Sequence, residues 1–363
     1  MTPAAVPLDA RSVVDFLLER GQLEPGDVLD RSLTVAEVSR RNACFAVRRG
    51  DRPGLFVKQP AADEPLALAS VRREAAVARS LASDPRFGPV AALTPRLRMF
   101  DAAACVLVVD LIGDAKELAV RVRRDGELAP PLARAVGETV GALHRSGPRV
   151  LDGEPGRCEA WILTLPLLAD EQLPHGCDGV ADLRDAARED PALAGGLEEL
   201  RAAWTTAAFV HGDLKWENVM LGEAAGAPRV HLVDWEMGGF GDPAWDVGGL
   251  LHAYLRTWVF GMPCEPGDPA PDAADALAPA RASAAALWAG YRAAAAPEPA
   301  GDFLVRSMRF AGARLLQTAF EHAVGTSALS HHAVLLAQLA ANVVADPEAA
   351  LATLLELEPD AAG

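Results

Sequence analysis

Short apolar runs broken by polar turns fill the first third of the chain, and apolar stripes at helical spacing fill most of the rest. Between Val38 and Val57, the runs Ala43 to Val47 and Leu55 to Val57 flank Arg49-Gly50-Asp51-Arg52-Pro53-Gly54, which predicts a β-hairpin with a loop of several residues. From Asp63 to Leu81, Leu66, Ala69, Ala76, Val77 and Leu81 recur near the helical period, and Ser83-Asp84-Pro85 supplies a stop. Arg96 to Phe100 and Cys105 to Leu111 predict a second strand pair around Asp101. The β-branched content of the latter run reads as a buried strand ending at Gly113. Leu132, Val136, Val140 and Leu143 then mark a helix over Glu127 to Arg145, opened near Pro130-Pro131 and closed by Gly147-Pro148.

Leu151 to Pro191 contains several Gly and Pro without a single period, which predicts loops with short helices. Leu197 to Ala208 reads as a helix, and Asn218 to Leu221 and Arg229 to Val233 read as short strands around a turn at Gly222 to Pro228. Pro263 to Ala280, rich in Pro and Asp, predicts a loop. Helices are expected over Ala282 to Ala296, Phe303 to Val324 and Ala333 to Leu357.

The 363 residues suffice for a large core in one two-lobed domain or in two domains, and a chain 50% hydrophobic and 23% charged is globular in balance. Its 34 basic against 50 acidic residues leave a charge of −16, which disfavours nucleic acid as a partner and only slightly favours a cationic substrate. Five widely spaced cysteines (Cys44, Cys105, Cys158, Cys177, Cys264) without a C-x-x-C imply neither a disulfide framework nor a zinc site, and read as cytoplasmic thiols. Met1 to Asp9 lacks the pattern of a signal peptide, and no long uncharged apolar run occurs, so a soluble chain with no membrane partner is expected.

The chemistry concentrates in His211-Gly212-Asp213-Leu214-Lys215-Trp216-Glu217-Asn218 and in Val230-His231-Leu232-Val233-Asp234-Trp235-Glu236. Asp213, Asn218 and Asp234 are oxygen donors on an expected loop and at the end of an apolar strand. Phosphoryl transfer uses such a set: one carboxylate positions the acceptor hydroxyl and takes its proton, while an amide oxygen and a second carboxylate hold magnesium against nucleotide phosphates. Competing signatures are missing, with no G-x-x-x-x-G-K-[ST], H-E-x-x-H or G-x-S-x-G. Gly239-Phe240-Gly241-Asp242-Pro243-Ala244 fits a dinucleotide fingerprint only formally, because Pro243 would interrupt the helix opening and Asp242 would repel a pyrophosphate.

The H-x-D-x-x-x-x-N run at His211 to Asn218, the D-W-E run at Asp234 to Glu236 and the Gly241-Asp242-Pro243-Ala244-Trp245-Asp246 segment after it resemble the aminoglycoside phosphotransferase (choline kinase-like) family of the protein-kinase-like fold. The resemblance implies an α+β, bilobal fold. An N-terminal nucleotide-binding lobe over 1–112 would carry an antiparallel β-sheet and one main helix, and a larger, mainly helical catalytic and substrate-binding lobe would span 113–363. It implies ATP and Mg2+ as cofactors, Asp213 as catalytic base, Asn218 and Asp234 as metal ligands, and His211 and Asp246 as braces of the catalytic loop. Lys58, in Leu55-Phe56-Val57-Lys58, takes the place of the phosphate-pairing lysine, and Glu74, in Arg72-Arg73-Glu74-Ala75, that of its ion-pair partner. Adenine is implied to lie against Val109-Asp110-Leu111-Ile112, near the backbone of Asp110 and Ile112. The phosphate-covering loop Val38-Ser39-Arg40-Arg41-Asn42-Ala43 departs from expectation in having no glycine, which leaves Ser39, Arg41 and Asn42 to reach phosphates by side chain. Trp216, Trp235 and Trp245 are expected to pack rather than react.

Three functions stay open at this level. The first is a kinase of a small hydroxylated molecule, such as an aminoglycoside, for whose ammonium groups Asp170, Glu171, Asp178, Asp242 and Glu321 are candidate carboxylates. The second is a kinase of Ser/Thr in a ribosomally made precursor peptide, because Lys215-Trp216 and Trp245-Asp246-Val247-Gly248 resemble the kinases of class V lanthipeptide and thioamitide assembly. The third is a catalytically inactive nucleotide-binding scaffold, against which the retention of Lys58, Asp213, Asn218 and Asp234 argues.

Overall fold

A computed structural model describes residues 7–29, 32–39, 42–113, 115–146, 156–224, 227–262, 273–297 and 299–359. The expectations that fall on Arg40, Arg41, Gly147-Pro148, Leu151 to Pro155, the 225–226 tip of the second turn and Pro263 to Asp272 lie outside the described residues. From the N-terminus the chain forms α1 (Ser12–Glu19), α2 (Pro25–Leu29), β1 (Leu33–Glu37), β2 (Ala43–Arg49), β3 (Arg52–Gln59) and α3 (Pro65–Ser83). There follow α4 (Gly88–Ala91), β4 (Leu97–Asp101), β5 (Val106–Asp110), β6 (Lys116–Glu117), α5 (Leu118–Asp125), α6 (Pro130–Ser146), α7 (Asp178–Glu189) and α8 (Pro191–Ala202). The remainder is β7 (Ala208–Val210), β8 (Val219–Ala224), β9 (Ala227–Leu232), β10 (Gly239–Gly241), α9 (Pro243–Phe260), α10 (Ala273–Ala295), α11 (Ala300–Ala323), α12 (His331–Ala345) and α13 (Pro347–Ala350). This is the α+β pattern expected, with the antiparallel sheet near the N-terminus and mainly helices near the C-terminus.

The chain divides into two compact units. One gathers Met1–Leu118, Ser146–Gly156 and Asn218–Gly239, and the other Ala119–Arg145, Arg157–Glu217 and Phe240–Gly363. In the first, five antiparallel strands run in the order β1-β2-β3-β5-β4. The period-two alternation of β5 gives each face its own core. Val106 and Val108 pack with Phe45, Val47, Leu55 and Val57 against Val13 and Leu17 of α1, whereas Leu107 packs against Val71 and Ala75 of α3. The amphipathic α1 was not anticipated. The β2–β3 hairpin also corrects the expected long loop, since Arg49 stands opposite Arg52 and only Gly50-Asp51 lie between them. Gly50 adopts φ +53°, and Arg49 Nε donates to the Pro53 carbonyl at 2.8 Å, which together hold so tight a turn. A second sheet, β6-β8-β9, completes this unit.

The second unit is built on α9 and α11, whose approach depends on Gly248. A Cβ there would meet the Ser307 carbonyl oxygen at 2.6 Å and Phe310 Cβ at 2.8 Å. Several boundaries differ from those expected. The Leu151 to Pro191 stretch holds a 12-residue helix, α7, and the helix expected over Leu197 to Ala208 begins at Pro191 and ends at Ala202, leaving Ala208 to open a strand. Helix α10 starts at Ala273 and carries Pro279 inside it, where the sequence predicted a loop. One lost hydrogen bond is outweighed by the burial of Leu287, Trp288 and Tyr291 further along. The helix expected over Ala333 to Leu357 breaks at Asp346-Pro347, where Asp346 Oδ1 accepts from Ala349 N at 2.9 Å and caps a new turn. Among the described residues no single helix is long and apolar enough to cross a membrane, although the two segments across this break, bent by 116°, pass that test together by length and composition.

Candidate active site

Lys58 lies on β3, where the strand register sets it opposite Cys44 of β2 and Leu107 of β5. Its ammonium is 6% exposed and meets Glu74 Oε2 of α3 at 2.7 Å, Asp234 Oδ1 at 2.5 Å and Glu236 Oε2 at 3.9 Å. Three carboxylates crowd one cation. Burial alone would favour the neutral amine, but Glu74, Asp234 and Glu236 reverse that and hold Lys58 above its usual range. Burial above all, with Asp234 and Glu236 adding like charge against the pull of Lys58, pushes Glu74 up to about 7. Cys44 is a free thiol, pushed up to about 11 by burial.

The β8–β9 hairpin presents two more predicted residues at its open end. Asn218 immediately precedes β8, Val219 pairs with Leu232, and Val233 N donates to the Asn218 carbonyl at 3.0 Å, so Asp234 emerges beside Asn218. Asp234 is left-handed, at φ +66° and ψ +59°, a conformation that costs a non-glycine residue free energy and is found where a side chain must be aimed. Trp235 fastens the turn, donating from Nε1 to the Leu232 carbonyl at 3.0 Å. Magnesium takes oxygen ligands, commonly one or two carboxylates completed by substrate phosphates. The Asn218 amide and the Asp234 carboxylate fit such a partial shell, and no cluster of three or more His, Cys, Asp or Glu forms a full metal cage among the described residues.

In the other unit, Asp246 organises the His211 to Asp213 loop. The backbone N–H groups of His211 and Gly212 donate to its two oxygens at 2.7 and 2.9 Å, and His144 Nε2 lies 3.1 Å from Oδ2. His144 is itself oriented by Tyr291, whose hydroxyl is 3.0 Å from Nδ1. Although burial works against ionisation, these partners hold the Asp246 carboxyl below its ordinary value. Asp246 sits in the first turn of α9, and Asp242 caps that helix by accepting from Ala244 N at 3.0 Å. Gly212 turns the loop at φ +82°, with its carbonyl accepting from Trp245 Nε1 at 2.7 Å.

Asp213, 8% exposed, accepts from Lys215 Nζ on Oδ2 at 2.7 Å and from Arg314 Nη2 on Oδ1 at 2.8 Å. Burial would raise its carboxyl, but Arg314 and Lys215 prevail and hold it well below the usual carboxylate range. The group is therefore ionised at neutral pH and a weak base, suited to orienting a hydroxyl.

The remaining predicted residues fall as follows. Ser39 Oγ accepts from the backbone N–H of Cys44 at 3.0 Å, and Asn42 is buried with no partner for its Oδ1 among the described residues. Asp110 closes β5 opposite Leu55 and pairs by side chain with Arg98, and Ile112 follows just beyond the strand end. Trp216, Trp235 and Trp245 are all buried. The carboxylates proposed for ammonium recognition are largely engaged: Asp170 with Arg184, Asp242 with Arg306, and Glu321 with Gln317. Sequence reasoning did not find His144, Tyr291 or Arg314, which meet Asp246, His144 and Asp213 across 102, 147 and 101 positions. A His ending the apolar stripe of α6 was the one local hint.

A cavity of about 550 Å³ opens in the same unit, lined by Val122, Leu128, Trp216, Tyr254, Trp258 and Leu277 among others. Trp216 forms one wall from within the His211 to Asn218 run, edge-on to Tyr254 at 5.0 Å between ring centroids.

Comparison with known proteins bears on the family and the fold. The sequence pattern of the phosphotransferase enzyme family matches residues 34–304 of the 363. An N-acetylmuramate/N-acetylglucosamine kinase of Caulobacter vibrioides is 30% identical over 178 residues, 45% of this chain and 46% of that protein. A viomycin phosphotransferase of Streptomyces vinaceus is 46% identical over 50 residues, 14% of this chain and 17% of that one. The chain thus aligns with less than half the length of either curated relative. Among solved structures, an ethanolamine kinase of Plasmodium vivax superposes with a TM-score of 0.60 at 11% identity, covering 94% of this chain and 90% of that one.

Proposed function

Because the chain belongs to the phosphotransferase enzyme family, we propose that it moves the γ-phosphoryl group of ATP to a hydroxyl of a small molecule, with an amino sugar as the first acceptor class to try. The observation that carries this reading is Lys58 held between Glu74 and Asp234 at 2.7 and 2.5 Å, the arrangement a kinase needs before it can take up nucleotide phosphates. Residues 1–112 then provide the nucleotide-binding half, with Asn218 and Asp234 joining it from later in the chain, and 113–363 provide the catalytic and acceptor half. Adenine is placed beside the backbone of Asp110 and Ile112, with Ser39 and Asn42 near the phosphates. Asn218 and Asp234 are the residues that would hold magnesium, which when bound supplies positive charge against the phosphates. The free thiols among the described residues support a cytoplasmic setting.

In the transfer, the acceptor oxygen forms a bond to the γ-phosphorus while the bond from that phosphorus to the β,γ-bridging oxygen breaks, and its electron pair leaves with ADP. The hydroxyl proton passes late to Asp213 and then to solvent. Asp213 aligns the hydroxyl, Lys58 steadies the phosphates, and Asp246 with His211 keeps the loop in place. An amino sugar is favoured over a polycationic antibiotic because Asp170, Asp242 and Glu321 already have partners, and because one relative bears the name of an amino-sugar kinase. No observation of this chain favours the precursor peptide.

The test is transfer from γ-labelled ATP to N-acetylglucosamine, N-acetylmuramate, aminoglycosides and Ser/Thr-rich peptides, with wild type and Asp213→Asn side by side. Label in a sugar, lost in the variant while ATP affinity stays within twofold, is expected. Label in peptide alone would overturn the acceptor class, and ATP binding with no transfer to any acceptor would overturn the enzyme in favour of a scaffold.

A further inference from the structure

Arg314 lies on α11, ten positions past the end of the family match at residue 304, and nothing in the H-x-D run announces it. Its side chain is 5% exposed, a costly place for a guanidinium unless it is paired. The carboxylate it meets is Asp213, through Nη2 at 2.8 Å, while Nη1 reaches the neutral Gln317 Oε1 at 3.3 Å. The guanidinium also stacks over the Trp245 ring, 5.1 Å from its centroid. Trp245 in turn donates to the Gly212 carbonyl, so one cation touches both the reacting carboxylate and the residue that fastens the loop beneath it. Around Arg314 and Lys215 stand His252, Arg256 and Glu321. His252 is kept neutral by burial and by the cations near it, so it adds no competing charge.

We infer that Arg314 is a positioning residue for phosphoryl transfer, fixing the plane of the Asp213 carboxylate by holding Oδ1 so that the acceptor hydroxyl is met in one orientation. Lys215 holds the opposite oxygen from two residues along the same loop, and moves with that loop. Arg314 ties the carboxylate to the 24-residue helix α11. The planar fork matters here, since Lys can offer a charge at the site but neither the stack on Trp245 nor the second donor.

The inference rests on Asp213 being the reacting carboxylate, and the experiment separates the two claims. Steady-state kinetics are taken for wild type, Arg314→Ala, Arg314→Lys and Asp213→Asn, with ATP as donor and N-acetylglucosamine, or water where the sugar is not turned over, as acceptor. Arg314→Ala should lower kcat by about 100-fold, the loss expected of a reacting group misplaced by an ångström, with KM for ATP unchanged. Arg314→Lys should recover part of it. Guanidinium chloride at millimolar, non-denaturing concentration should raise the activity of Arg314→Ala severalfold and leave Asp213→Asn inactive. Wild-type kcat in Arg314→Ala, or a loss that neither Lys nor free guanidinium relieves, overturns the positioning role while leaving Asp213 in place. An active Asp213→Asn, or a wild type that turns over neither acceptor, overturns the reading beneath it as well.

Discussion

Lys58 and Asp234 stand 176 positions apart in the chain and meet at 2.5 Å. One belongs to an interior strand of the five-stranded sheet, and the other to the strained residue that follows the β8–β9 hairpin. Their meeting, with Glu74 as third member, gathers these buried charges in one compact unit.

Replacing Lys58 by Met removes the cation around which Glu74, Asp234 and Glu236 are gathered. ATP binding, followed by calorimetry, should weaken by about 2 kcal/mol, near 30-fold, the worth of one charge-assisted hydrogen bond to a phosphate. Lys58→Arg should not restore it, because the fork is larger than the gap between two carboxylates on an ammonium. Unchanged affinity in Lys58→Met would remove Lys58 from the phosphate site.

Glu74 gives the folded protein a pH dependence of known sign. With its carboxyl raised from 4.5 to about 7, the native state holds a proton that the unfolded state has released. Stability of the nucleotide-free protein should therefore fall as pH climbs through that window and stay reduced above it. Denaturant titrations at pH 5 and pH 8 should show the fall in wild type and a flatter response in Glu74→Gln. An equal response in both proteins would contradict the assignment.

Asp234 trades backbone comfort for aim. Asp234→Gly and Asp234→Ala should lose magnesium-supported ATP binding alike, yet Ala should be less stable than Gly by about 1 kcal/mol, because only Gly occupies left-handed φ without steric cost. Equal melting of the two variants would mean that the turn relaxes when its carboxylate is removed.

Gly249 on α9 lies directly under the His211 to Asn218 run, where an added Cβ would collide with the Leu214 carbonyl oxygen. Backbone cannot yield as a flexible side chain can, so Gly249→Ala should displace Asp213. A fall in kcat of about 100-fold is expected, with ATP affinity held. A normal kcat would show that the loop tolerates the shift.

The residues that the structure gathers were more legible in the sequence than the contours of its elements. Lys58, Glu74, Asp213 and Asp234 sit in local patterns, a strand end, a helix face and two short motifs, and adjacent residues announce them. The β2–β3 turn, the break at Asp346-Pro347 and the persistence of α10 through Pro279 depend on packing, which local composition does not record. Asp346-Pro347 interrupts a run whose apolar period continues on both sides, so periodicity read one helix where capping makes two. His144 and Arg314 reach their partners over 102 and 101 positions, and beyond a His at the end of the α6 stripe the nearby sequence says nothing of either.

The unit that carries Lys58 also has a consequence for how the chain is made. Because it needs Asn218–Gly239 as well as Met1–Leu118, its sheet can begin to form on the ribosome, but its charge cluster cannot close until more than two hundred residues have been synthesised. Until then Glu74 and Lys58 wait half-assembled, and a nascent protein halted before Asp234 would hold the lysine with one of its two close carboxylates and lack the other.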